Sequence, residues 1–305
     1  MQDKYHNPRL DHNGNSQTQP NGTVRADLTK IIWLSVITVT GTIGSALTFS
    51  WGAFALFVVF TGLVLLFGHS LGMHRLFIHK AFKAPRWLQL TLIHFGTLVG
   101  ISGPLSMLTT HDTRDWAQRQ AECHDYFSHS KPWWQDILWQ LFCRLDFDRP
   151  LNFKIEASIK DDKAIAWMEK TWMLQQLPWA VLFYLIGGWG FVFWGVSSRI
   201  LICNLGHWFI GYLAHNEGHQ SWHVDEACVQ GHNISWSSLL TMGECWHNNH
   251  HAFPYSANFG LHAGQWDPGW WTLLLLQKIG LVRELVTADI TNIRKELIEI
   301  KQSNG

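Results

Sequence analysis

Charge is scarce in this chain. Only 15% of its 305 residues are Asp, Glu, Lys or Arg, against roughly 25% in soluble chains. The 23 basic residues are matched by 23 acidic ones, and no basic stripe stands out. That balance argues against a nucleic-acid partner. Cysteine is sparse too: five are spread along the chain without paired spacing. A disulfide scaffold is therefore excluded. No CxxC occurs, which removes zinc ribbons and thioredoxin-type sites. Apolar residues are not lacking, and at 47% they exclude disorder for the bulk of the chain. What is abundant is 19 Trp, 18 Phe and 18 His, and these demand an explanation.

Residues 1–27 are polar, with almost no large apolar side chain. They are expected to form a disordered tail rather than a signal peptide, since no apolar stretch follows a basic start. Residues 31–50 and 51–72 then form two apolar runs, uncharged as far as Gly68. A spanning helix needs about 20 such residues, so the pair reads as a helical hairpin turning near residues 49–52. A second hairpin is expected from spans at 178–196 and 199–215, turning at Ser197 and Ser198. A weaker segment, residues 88–108, contains His94, Pro104 and several Gly, Ser and Thr, and hydropathy alone leaves its topology open. Arg25, Lys30, Arg75, Lys80, Lys83 and Arg86 flank the first hairpin's open end, whereas its turn has no basic residue. The positive-inside bias then puts both termini and the hydrophilic regions on the cytoplasmic side. The charged end, residues 283–305, has a helical pattern and is expected to be a surface helix. The fold class expected is an all-α integral membrane protein. It has two transmembrane hairpins (four spans) and a helical cytoplasmic cap.

The histidines cluster. His74 and His79 form HRLFIH just past the second span, His111 follows the weak segment, and His215 ends the fourth span. His247, His250 and His251 form HNNHH in the next hydrophilic stretch. Each cluster sits at or just beyond the cytoplasmic end of an apolar segment, which one buried metal centre outside the bilayer explains. In HNNHH the i, i+3, i+4 spacing puts three imidazoles on one helix face. In HRLFIH the i, i+5 spacing leaves the rings about 140° apart on an ideal helix. The helix should end, bend or bulge there, or each His should serve a different metal. His6, His12 and His94 read as ordinary surface or core residues. His207 and His69 are ambiguous, lying in or near the spans.

GMHRLFIHKAFKAP at 72–85 and GECWHNNHHAFPYSA at 243–257 resemble the first and third histidine boxes of the membrane-bound fatty acid desaturases. The likeness is to the acyl-CoA, Δ9-type branch and covers residues 31–282. It implies a diiron centre held by His74, His79, His111, His215, His247, His250 and His251. WFIGYLAH at 208–215 resembles the segment carrying the span-end ligand, but Gly211 stands where the family often has an Asn holding a metal-bound water. The second box departs further: HDTRD at 111–115 replaces HxxHH, leaving His111 alone. Asp115 can ligate through oxygen, His124 or His129 can fold back, or Asp112 or Asp115 can orient a ligand. For His111 to meet the first box, residues 88–108 must begin and end on one side, as an interfacial segment.

The resemblance implies oxygen-dependent desaturation of a fatty acyl chain by two non-haem irons, with dioxygen as co-substrate. The substrate class is an acyl-CoA, acyl-carrier protein or acyl lipid within the membrane lipid. Electrons would come from an external ferredoxin, rubredoxin or cytochrome, since no CxxCH or Cys cluster is present. Arg75, Lys80, Lys83, Arg114, Arg119 and Lys131 can attract an anionic head group, or simply express the positive-inside bias. Competing readings are a hydroxylase, acetylenase or terminal-alkene-forming enzyme on the same centre, and a non-enzymatic haem or metal-binding membrane protein.

Overall fold

The computed structural model describes residues 9–10, 21–291 and 293–300. His6 and His12 lie outside them. A short strand β1 (Gly22–Ala26) precedes the first long helix α1 (Leu28–Leu47). Asp27 starts α1 by accepting from the Thr29 and Lys30 amides. Thr48 to Ser50 make the turn, and Ser50 caps α2 (Trp51–Ile78) by accepting from the Ala53 amide. Both helices leave large apolar side chains exposed along their length, among them Ile32, Val36, Ile43, Val58 and Val59. A contiguous apolar exterior of this kind marks a surface made for lipid rather than water.

From Val64 to Ile78 α2 is wound as a π-helix. α3 (Arg86–Leu98) lies back against it. A Cβ at Gly72 would come within 2.2 Å of the Leu92 carbonyl oxygen, so the two backbones touch where only glycine fits. The chain breaks at Val99–Gly103 and returns as α4 (Pro104–Gln118). The Glu169 carboxylate, on α5 (Lys163–Lys170), accepts from the Leu105 and Ser106 amides at its start. The segment expected at 88–108 is thus a helical bend whose two ends return to one place.

The second apolar hairpin differs from expectation. α6 (Leu174–Asn216) is a single apolar run, the third of the described helices long enough to cross a membrane. It folds back at Gly187 and Gly188, not at Ser197 and Ser198. Gly188 has φ +66° and ψ −159°, a conformation essentially confined to glycine. Arg199 reaches Gln176 Oε1 at 2.5 Å and a Cβ on Gly195 would strike Phe183, so the arms run antiparallel from that point. The first arm, from Leu174, is only about 20 Å long at 1.5 Å per residue. The expected boundaries 178–196 and 199–215 are corrected accordingly. Ser197 and Ser198 lie inside the second arm and bond Thr40, Gly41 and Ser45 of α1. A polar pair that reads as a turn is in fact an interhelical seam. Arg199, just past these serines, is fully buried and donates to the carbonyls of Leu98 and Gly195.

Two further expectations change. Part of the presumed tail is built into the fold: β1 pairs antiparallel with β2 (Cys143–Phe147), and Leu10 is buried beside Trp116 and Tyr126. The C-terminal surface helix is not formed among the described residues. After α8 (Pro268–Lys278) the chain runs irregularly to β4 (Leu297–Glu299), which pairs with β3 (Trp222–Val224). Helical charge spacing lost to an edge pairing that covers Trp222 and Ala252. The six-residue helix α7 (His247–Ala252) sits between β3 and α8 in chain order and carries HNNHH.

Candidate metal centre

The π-helical winding resolves the awkward spacing in HRLFIH. A π-helix bonds i to i+5, and the His79 amide donates to the His74 carbonyl at 3.0 Å. The two rings then lie 4.8 Å apart. The same step brings His69 onto His74, nearly parallel at 6.4 Å. α4 returns His111 to within 5.0 Å of the His74 ring and 4.9 Å of the His79 ring. α7 adds His250, whose Nε2 is 3.2 Å from His74 Nε2. His74, His79, His111 and His250 thus offer four nitrogens within 4.8 Å of one another.

A second set lies beside the first. His215, at the end of α6, meets His247 and His251 of α7, again within 4.8 Å. His247 Nε2 is 3.2 Å from His215 Nε2 and 2.9 Å from His251 Nε2. Four stretches far apart in sequence deliver seven imidazoles to two adjoining positions. Crowded ring nitrogens of this kind have too few protons to satisfy one another. Nδ1 of His111, Nδ1 of His250 and Nε2 of His79 are buried without a partner. Burial pushes His111 down to about 3 and His251 to about 4. Burial, then the neighbouring imidazoles, hold His79, His247 and His250 well below their ordinary value. Neutral imidazoles with free lone pairs are the donor set a transition metal takes, and nitrogen donors suit iron.

Outer contacts fix the rings. The Glu244 carboxylate bonds His74 Nδ1, accepts from Ser70 Oγ at 2.5 Å, and lies 3.5 Å from buried Arg75. Burial would raise Glu244, but His74 and Arg75 outweigh it and hold it at about 2. His215 Nδ1 donates to the Gly211 carbonyl at 2.7 Å, leaving Nε2 for the centre. Asn248 locks α7 through four hydrogen bonds, accepting from the Ser221 and Trp222 amides and donating to the Trp222 and Gly231 carbonyls. Asn249 donates to the Phe259 carbonyl and Gln265. Sequence reading missed Glu244, although a carboxylate three residues before HNNHH was a usable signal.

The second-box residues separate. Asp115 belongs to neither nitrogen set: its Oδ2 is 3.7 Å from His111 Nδ1 and 3.7 Å from Arg119. Asp112 turns away to pair with Arg9 at 3.1 Å. Arg114 donates to Gln140 at 3.0 Å. Gln118, one turn beyond Asp115, brings its Nε2 to 2.9 Å from His215 Nε2 while donating to the Phe127 carbonyl. Of the two histidines offered as substitutes, His124 caps a short helix and His129 reaches the centre's edge, stacked on His215 at 5.1 Å. His94 is satisfied by Gln175 and Trp179, as an ordinary core residue would be. His207 packs 5.1 Å from His69, outside both sets.

A family model described as "Fatty acid desaturase" matches residues 49–274. The sn-2 palmitoyl-lipid 9-desaturase of Nostoc sp. (strain 36) is 33% identical over 79% of this chain and 84% of its own. The sn-1 stearoyl-lipid 9-desaturase of Anabaena variabilis is 32% identical over 79% and 86%. An acyl-CoA 5-desaturase of Anemone leveillei is 27% identical over 81% and 76%.

Proposed function

The chain belongs to the fatty acid desaturase family, and from that premise we propose that it introduces a double bond into the acyl chain of a membrane lipid. The observation that carries the proposal is the convergence of seven imidazoles in two adjoining sets. Two irons would be held there, one by His74, His79, His111 and His250, the other by His215, His247 and His251. Iron bound there would, when reduced and given dioxygen, supply the oxidising power to remove hydrogen from an unactivated methylene. The relatives named as acting on acyl lipids at position 9 support a glycerolipid acyl chain as substrate.

This chain's own residues do the positioning. Glu244 holds the His74 proton on Nδ1, so that Nε2 faces the centre. The Gly211 carbonyl does the same for His215. Asp115 sits beside the first set, 3.7 Å from both the unpartnered His111 Nδ1 and Arg119, where a small approach would let it orient His111. The apolar helices present the acyl chain and exclude water from its methylenes. The proposed membrane arrangement is two helical hairpins with the centre and both termini on the cytoplasmic side, where an external electron donor of ferredoxin, rubredoxin or cytochrome type docks.

The test is expression of the full chain in a host with saturated membrane lipids and a supplied ferredoxin system. Lipid acyl chains are then analysed by gas chromatography and mass spectrometry. New monounsaturated chains, absent with His250→Ala, are expected. Hydroxylated or unchanged chains in a host shown to support another desaturase would overturn the proposal.

A further inference from the structure

Outside the two imidazole sets, His129 has a buried ring nitrogen that nothing in the fold satisfies. His129 is 1% exposed. Its Nδ1 is 2.9 Å from Asp136 Oδ2, a fully buried carboxylate that also accepts from Trp208 Nε1 at 2.9 Å. Nδ1 therefore carries the proton and Nε2 the lone pair. That Nε2 is buried without a partner. The ring stacks on His215, nearly parallel at 20°. Gly211 has no side chain to fill the space, and a Cβ there would stop 4.0 Å short of His129 Nε2.

A structural role for His129 needs only the Nδ1 bond. It leaves an acceptor stranded in a dry interior, which is costly. The neighbouring set, meanwhile, offers three nitrogens where its partner offers four. Gln118, whose Nε2 lies 2.9 Å from His215 Nε2, has in its Oε1 a second buried acceptor without a partner. A bound water would satisfy both acceptors by donating to them, while its oxygen meets the metal.

We propose that His129 is a positioning residue of the three-imidazole metal position, holding a metal-bound water through Nε2, with Asp136 fixing its tautomer. The role rests on reading the centre as two metal positions. It makes the region after the degenerate second box, rather than that box itself, the source of the missing interaction. Trp208 and Asp136 then belong to the centre as the support for His129, as carboxylates behind metal-site histidines commonly do.

The test uses the detergent-purified full chain loaded with 57Fe and titrated with a chelator. Iron per chain and Mössbauer spectra are recorded for the native protein, His129→Ala, His129→Gln and Asp136→Asn. His129→Ala should weaken one iron of the two by roughly 10–100-fold and alter only that iron's signal. His129→Gln, which keeps a group able to bond a water, should restore part of the affinity. Asp136→Asn should shift the same signal by loosening the tautomer. Melting curves establish that each variant is folded, and the two conservative variants carry the test if His129→Ala does not fold. Two irons with unchanged affinities and signals in the folded variants would overturn the proposal, as would a native protein that binds metal only at the four-imidazole position. Absence of acyl products with these iron effects intact would instead count against the proposed reaction alone.

Discussion

Glu244→Gln isolates one contact at the four-imidazole position. The substitution keeps the side chain's shape and its ability to meet Ser70, but removes the charge that holds the His74 Nδ1 proton. Among the described residues Glu244 bonds or pairs with Ser70, His74 and Arg75, none of them a member of the other set. Arg75 keeps Asp267 at 2.8 Å and the Ala257 carbonyl at 3.0 Å, so it is not stranded. Loss of a supporting carboxylate costs about 10–100-fold in metal affinity, or about 1.4–2.7 kcal/mol. Iron retained per chain across a chelator series should therefore fall in one step for Glu244→Gln, with the second iron released at the native concentration. Equal weakening of both irons, or of neither, would refute the assignment of Glu244 to His74.

Three further outcomes follow from other contacts. Gly188→Ala should lower the melting temperature in detergent, because this backbone conformation costs a non-glycine residue about 1–3 kcal/mol; Gly206→Ala, mid-helix with open space at its Cβ, should be neutral or raise it. Asn248→Ala should cost more than about 2 kcal/mol by stranding buried amides, and should weaken both irons together, since α7 serves both sets. Burial would raise Glu156, but Lys80 and Arg9 hold it at about 2, so its contribution is full above the unfolded value near 4.3 and fades as pH falls through about 2. Glu156→Gln should remove it at neutral pH and open the chain near Arg9 to limited proteolysis, whereas the native contact should survive at pH 5.

What was legible in the sequence was whatever a single stretch encodes. The apolar runs, the first turn and the HNNHH face follow from local periodicity, and the i, i+5 spacing at His74 and His79 already called for either an irregular helix or two separate metals. Contacts made across space were not legible. Glu244 acts on a residue 170 positions away, and Arg9 pairs with Asp112 from the far end of the chain. His129 was one of two candidates until packing separated them. The turn of the second hairpin was misplaced because Ser197–Ser198 is more polar than Gly187–Gly188. Glycine's backbone freedom decides a tight reversal, whereas serine hydroxyls can be satisfied by a neighbouring helix. The C-terminal charge pattern misled because pairing with β3 outweighs the propensity of a short isolated helix.

If the two adjoining histidine sets each hold an iron, elemental analysis of the detergent-purified chain should find close to two irons per chain, and an optical spectrum of the same sample should show no Soret band. One iron or none after iron supplementation, or a Soret band accounting for the iron present, would contradict that assignment.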